Sequence, residues 1–268
     1  MRSLIIAGIV SALIAPTGAV AGGYKTVHWP DLKAEIYGEA TLNDAGDMVT
    51  LDAPVRSPND AEVPVHVEAR LLDGRAIRAV TLIIDENPMP VSATWTFETP
   101  RQSVRLGANM RFNGPSPLRA VIETTDGQRY MTSRFVKTSG LGACSAPPVG
   151  DPDAALATLG QMELLDLTPP SRAVPAVRSA RLEVRHPQHT GLQMDQITLL
   201  FILARYVEEL DVWAGDQKLF TLEGSISLSE DPEIEFDFPN TGADTLRIRM
   251  KDTSDTVIEK ELPLGTSS

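Results

Sequence analysis

Short stretches in which apolar and polar residues alternate, cut by turn residues at close intervals, commit this chain to layered β-sheet. Residues 63–69 read Val-Pro-Val-His-Val-Glu-Ala, and residues 93–97 repeat the alternation. That is the pattern of strands with one face in a core and the other in water. Further β-like runs occupy 104–112, 118–123 and 130–136, punctuated by Asp73-Gly74, Asn87-Pro88, Asn113-Gly114-Pro115 and Asp126-Gly127. This spacing predicts an antiparallel sandwich. The pattern stops after residue 136, where 138–150 is mostly Gly, Ser, Ala and Pro, and β-like segments return at 181–185, 206–214, 217–222, 233–238, 244–251 and 256–262. A second sandwich is the economical reading.

Between the two halves, Asp151-Pro152 reads as an N-cap followed by a proline at the first helical position, with Leu156, Leu159, Met162 and Leu165 along one face. The spacing predicts a short amphipathic helix packed between the domains. Residues 168–176, with Pro169, Pro170 and Pro175, read as a semi-extended connector. The expected order is a signal peptide (1–21), a sandwich (22–137), an arm, short helix and linker (138–176) and a second sandwich (177–268). The acidic corners at 82–88 and 227–232, each ending in proline before a strand, form a weak internal echo. The better explanation is that both are common turn openers.

Residues 1–21 have the parts of an export signal: Arg2, an apolar stretch from Leu4 to Ala15, and the small residues Ala19-Val20-Ala21 before Gly22. The expected location is therefore the periplasm. No cysteine at the cleavage site calls for a lipid anchor, and no later apolar run approaches a membrane span. The formal charge of −12 becomes −13 once Arg2 leaves with the signal, with no local basic cluster, so nucleic acid is excluded as a partner.

Cys144 is the single cysteine, set in Gly140-Leu141-Gly142-Ala143-Cys144-Ser145-Ala146. An odd cysteine in an exported chain points to intermolecular chemistry or a free reactive thiol, and the plain alternative is an incidental loop residue. The small neighbours carry too little bulk to bury it, so the thiol is expected to be exposed, with Gly140 and Gly142 giving the arm flexibility. About seven extended residues beyond Val136 would give it a reach of roughly 23–25 Å. Nothing basic lies near it in sequence except Lys137.

Signatures of catalysis are missing from the sequence: there is no CxxCH, cysteine pair, Gly-rich phosphate loop or Gly-x-Ser-x-Gly. His186 and His189 have a spacing that two metal ligands could share, but Pro187 between them prevents a regular helix from presenting both. His28 and His66 read as surface or packing residues. Neither metal nor cofactor is called for.

A family resemblance adds to this. Residues 51–54 (Leu-Asp-Ala-Pro), 63–65, Ile84-Asp85-Glu86-Asn87-Pro88-Met89-Pro90, Val136-Lys137 and the cysteine arm resemble the SoxY subunit of the thiosulfate-oxidising carrier. His186-Pro187, Thr190-Gly191-Leu192, Ser227, Asp231-Pro232 and Arg249 to Asp252 resemble SoxZ. The whole is similar to fused SoxYZ-like carriers associated with quinoprotein dehydrogenases. The resemblance implies two immunoglobulin-like sandwiches, no enzymatic activity of the chain itself, and Cys144 as the attachment point for a sulfur intermediate. The implied partners are periplasmic Sox-like enzymes or a quinoprotein dehydrogenase. Two departures stand out: Ala143 and Ser145 replace flanking glycines, and the arm is internal. The alternative reading is a non-covalent binding or assembly module for a periplasmic dehydrogenase, with Cys144 incidental.

Overall fold

The computed structural model describes residues 28–140, 142–148, 152–169 and 176–266. The expected signal peptide, Leu141, Asp151 and most of the proline connector lie outside them. In chain order the elements are α1 (Trp29–Tyr37), β1 (Leu42–Asp44), β2 (Val49–Asp52), β3 (Val63–Arg70), β4 (Ile77–Ile84), β5 (Val91–Arg101), β6 (Ser103–Met110), β7 (Ser116–Thr124) and β8 (Arg129–Val136). Then follow α2 (Pro152–Ala157), β9 (Met162–Asp166), β10 (Val177–Val184), β11 (Val207–Ala214), β12 (Gln217–Gly224), β13 (Glu233–Pro239), β14 (Thr245–Asp252), β15 (Val257–Pro263) and β16 (Gly265–Thr266). The expected all-β sandwich architecture is present.

The two halves share both layers. One sheet runs β1-β8-β7-β4-β5-β12-β11-β14-β15 and the other β16-β9-β10-β13-β6-β3-β2, so each contains strands from either side of the arm. The seams are antiparallel: Trp95 of β5 faces Leu222 of β12, and Ala108 of β6 faces Ile234 of β13. Gly107 makes the second seam possible, because a Cβ there would lie 2.7 Å from His66 and 3.2 Å from Glu235. His66 itself reaches over that glycine to Glu235, with Nε2 3.3 Å from a carboxylate oxygen.

A single buried apolar cluster spans the seams, with Trp95 and Phe112 from the first half and Phe220, Phe236 and Phe238 from the second. Phe220 and Phe236 meet edge to face at 5.0 Å. Burying side chains of this size contributes roughly 2–3 kcal/mol each. Arg101 adds a polar tie, donating across the junction to the carbonyls of Asp237 (2.7 Å) and Leu219 (3.3 Å). Proteolytic cutting between residues 170 and 175 is therefore expected to leave two fragments that co-elute in size-exclusion chromatography at micromolar concentration. Independent elution would show that the shared sheets do not hold the halves together.

Two expectations about local structure need correction. The helix expected over 151–165 is confined to Pro152–Ala157, and Met162–Asp166 is a strand that pairs antiparallel with β10. Gly160, at φ +73°, turns the chain between them. Leu164, which the helical reading of Met162 and Leu165 left off the apolar face, is the buried residue of this strand, while Met162 and Leu165 are half-buried. The second correction is α1, a helix within the 22–137 span expected to be β-sandwich. It begins with Pro30 in its first turn and buries Leu32 against Ile83 of β4 and Val121 of β7. Arg119 clasps it, stacking on Trp29 at 3.7 Å while pairing with buried Asp85 at 2.7 Å.

Candidate functional site

Cys144 lies where the two halves meet. The arm leaves β8, and Ser139 donates through its backbone N–H to Asp60 at 2.8 Å. It turns back at Gly140 (φ +75°) and Gly142 (φ +73°), backbone conformations in which glycine is nearly strain-free. Ser145 N–H closes the turn onto Gly142 O at 2.9 Å. From the second half, Thr190 donates its hydroxyl to Cys144 O at 2.6 Å, and Gln193 donates its amide to Ala146 O at 3.1 Å. In this conformation the arm is docked.

The expectation of an exposed thiol is therefore corrected: Cys144 is fully buried, with none of its surface in contact with solvent. The small side chains read as too slight to cover a thiol are what let the arm lie close against the junction. Residues remote in sequence, Thr190 and Gln193, hold the arm there. Burial pushes the thiol up to about 11, while Arg111 pulls it back in part. A docked Cys144 is thus protonated near neutral pH and poorly nucleophilic.

Arg111 follows β6 and is 3% exposed. Its backbone N–H binds Ser227 O at 2.7 Å, and its Nη1 donates to the carbonyls of Gln188 (2.7 Å), Leu228 (3.0 Å) and, at a longer 3.4 Å, Ile226. The loops around it are tied by Asn87, which donates to Arg111 O (2.7 Å) and Ser227 Oγ (2.9 Å) and accepts from Asn113 N–H (2.8 Å). The acidic corners that echo one another in sequence thus touch through Asn87 and Ser227. Gln188 sits at φ +47°, a conformation that costs a non-glycine residue about 1 kcal/mol or more, and Arg111 grips its carbonyl.

His186 and His189 belong to the loop that carries Thr190, and they do different work. His186 is wholly buried, accepts the Gln188 N–H at its Nδ1 (3.1 Å) and faces Asp252 with Nε2 at 3.4 Å. Burial pushes it down to about 4, opposed by Asp252. Asp252 also takes Arg205 Nε at 2.8 Å. His189 is lowered by burial, and its Nδ1 makes no hydrogen bond to any of the described residues. Among the described residues no three His, Cys, Asp or Glu gather into a metal-holding group. Nor is any helix there long and apolar enough to cross a membrane.

Residues 33–144 match the family model described as sulfur oxidation protein SoxY, and residues 168–263 that of sulphur oxidation protein SoxZ. The chain joins a SoxY-like and a SoxZ-like region in one polypeptide. Cys144 is the last residue of the SoxY-like match, and Thr190 and Gln193, which hold the arm, belong to the SoxZ-like one. The solved structure of the sulfur carrier protein SoxY from Chlorobium limicola f thiosulfatophilum is similar at 23% identity and a TM-score of 0.35, over 40% of this chain and 88% of its own. A superoxide reductase (neelaredoxin) from Ignicoccus hospitalis aligns at 16% identity and a TM-score of 0.28, over 41% of this chain and 92% of its own. No curated protein matches the sequence.

Sequence reasoning singled out Cys144 and, through the SoxZ resemblance, Thr190, but missed Arg111 and Gln193. Arg111 did leave a signal: it is a lone charge in Gly-Ala-Asn-Met-Arg-Phe, a run otherwise suited to burial.

Proposed function

We propose that this chain is a periplasmic covalent carrier that takes a sulfur-containing group on Cys144 and presents it to partner enzymes, without turning it over by itself. The observation that carries the reading is the position of the only cysteine. It ends the SoxY-like region and is packed against the SoxZ-like one. The docked arm is the resting position in this reading, and loading and unloading require the arm to lift.

The tether is light enough for that. Lifting the arm breaks the hydrogen bonds from Thr190 and Gln193, at about 1 kcal/mol each net. It also exposes Cys144, at about another 1–2 kcal/mol. A total near 3–4 kcal/mol leaves the lifted form at roughly 0.1–1% of the population, enough to be captured by a partner. That partner, a Sox-like enzyme or a quinoprotein dehydrogenase, would meet the hairpin that springs from the arm-holding loop. There Met194 bridges to Phe201, and Ile197, Leu199, Leu200, Phe201 and Leu203 stand in solvent. Apolar side chains exposed together in this way mark contact surfaces.

Intact-mass analysis of the protein purified from its native cell envelope is expected to show a sulfur adduct that disappears in Cys144→Ala. The isolated chain is expected to take one thiosulfonate group from tetrathionate, expelling thiosulfate, and then stop, since a single thiol has no second cysteine to resolve the product. Multiple turnovers by the chain alone would overturn the carrier reading. An unmodified Cys144 under all sulfur-fed conditions would favour the assembly-module alternative.

A further inference from the structure

Arg111 is a buried cation whose charge is only half used. All of its side-chain hydrogen bonds come from Nη1 and end on neutral backbone carbonyls, and among the described residues Nε and Nη2 donate to no protein acceptor. A guanidinium taken out of water without a hydrogen-bonded anion is costly to keep. The Nε and Nη2 side is the edge that grips oxyanions through two parallel hydrogen bonds. Arg111 also lines a cavity of about 320 Å³ together with Ala143, the neighbour of Cys144 in the turn, and Ala146, just past it. Two further polar nitrogens near Arg111 are unused. Among the described residues His189 Nδ1 and Gln188 Nε2 are buried without hydrogen-bond partners, and Gln188 is the residue whose carbonyl Arg111 holds.

We propose that Arg111 is the oxyanion-recognising residue of the carrier, its Nε and Nη2 edge holding the sulfonate oxygens of a thiosulfonate group carried on Cys144 when the arm is docked. The proposal rests on Cys144 as the attachment point and adds what the docking site selects: a sulfur group that ends in an anion over one that is neutral. The cavity has room for the five heavy atoms of a thiosulfonate, and Cys144, which does not itself line it, lies close enough to Arg111 to feel its charge. Glu62 and Glu230 line the same space, and Glu230 acts on Arg111 electrostatically. An arriving oxyanion therefore takes Arg111 over from Glu230, whose carboxyl is already held up by burial and by Asp231.

The test loads Cys144 in two ways. Attack of the thiolate on tetrathionate forms a bond to one inner sulfur and expels thiosulfate, leaving the anionic adduct. Attack on methyl methanethiosulfonate expels methanesulfinate and leaves a neutral methyl disulfide. Dithiothreitol then reverses either adduct, freeing the Cys144 thiol and thiosulfate or methanethiol while it closes to its cyclic disulfide. The release rate in the folded protein, divided into the rate for the same adduct on the urea-unfolded chain, gives a protection factor independent of intrinsic reactivity.

In the wild type the anionic adduct is expected to be at least ~10-fold better protected than the neutral one, a factor worth about 1.4 kcal/mol. Arg111→Met and Arg111→Lys are expected to remove most of that excess, the lysine because it keeps the charge but loses the two-pronged edge. Glu230→Gln is expected to enlarge it. Equal protection of the two adducts in the wild type would overturn the proposal whether or not Arg111→Met folds, and so would an excess that survives Arg111→Lys undiminished. Either failure leaves the carrier reading intact, because that reading is decided by whether the native protein carries sulfur on Cys144.

Discussion

Iodoacetamide is expected to alkylate Cys144 in the folded protein ~100- to 1,000-fold more slowly than in the denatured chain. The factor is the population of the lifted arm, set by the roughly 3–4 kcal/mol that docking contributes. Its pH dependence follows from the thiol. Because burial raises Cys144 from an ordinary 9.0 to about 11, the docked arm holds its proton more tightly than the lifted one. Docking is fully favoured below pH 9 and loses that advantage as the pH rises toward 11. At about 1.4 kcal/mol per pH unit, the loss amounts to about 2–3 kcal/mol. Protection is thus expected to collapse by up to ~100-fold over that window, beyond the ordinary gain in thiolate. Thr190→Val, which deletes the hydroxyl held by Cys144 O, is expected to raise the labelling rate at pH 8 by ~5- to 10-fold. Labelling of the native protein as fast as the denatured one would show that the docked arm is not a significant state.

The strands that could be read from sequence are those with one face in water. β3 alternates buried and exposed without a break, and the six β-like runs of the second half fall within a few residues of β10 to β15. β4 escaped because α1 covers its outer face: Ile83 is buried beneath the helix while Leu82 and Ile84 are buried in the main cluster, so no alternation survives. The seams between halves were equally hidden. Ala93 to Thr96 and Leu106 to Ala108 carry strand signals, but nothing local tells a strand which neighbour it will take. Cys144 was legible as a singular residue, whereas its burial was not. Composition around a residue reports the bulk of its chain neighbours, whereas Thr190 and Gln193, which hold the turn in place, and Arg111, whose charge reaches the thiol, lie between 33 and 49 positions away.

The loop that holds the arm is expected to fail in acid, and His186 sets the window. Its imidazole is pushed down to about 4 from an ordinary 6.5, chiefly by burial. As the pH falls through 6.5 the unfolded chain takes up the proton first, so the stability that neutral His186 supports is present above 6.5 and is lost progressively down to about 4. Some two and a half units correspond to about 3 kcal/mol, a large share of the stability of a typical domain. Carboxylates held low by partners, Asp166 and Asp252 among them, lose their contribution mainly below their ordinary 3.8, and Glu230, Glu233 and Asp237, held high by burial, act in the opposite sense. A difference between wild type and His186→Asn cancels the groups that do not touch His186, leaving Asp252 as the one carboxylate coupled to it. Urea unfolding at pH 7 and pH 4.5 is expected to show the wild type losing about 2–3 kcal/mol more than the variant, in which an amide oxygen can still accept the Gln188 N–H but nothing protonates. Because His186 and Thr190 share one loop, labelling of Cys144 by a pyridyl disulfide that reacts in acid is expected to accelerate over the same window in the wild type alone. An identical pH response in both proteins would place the acid-labile group elsewhere and remove His186 from control of the arm.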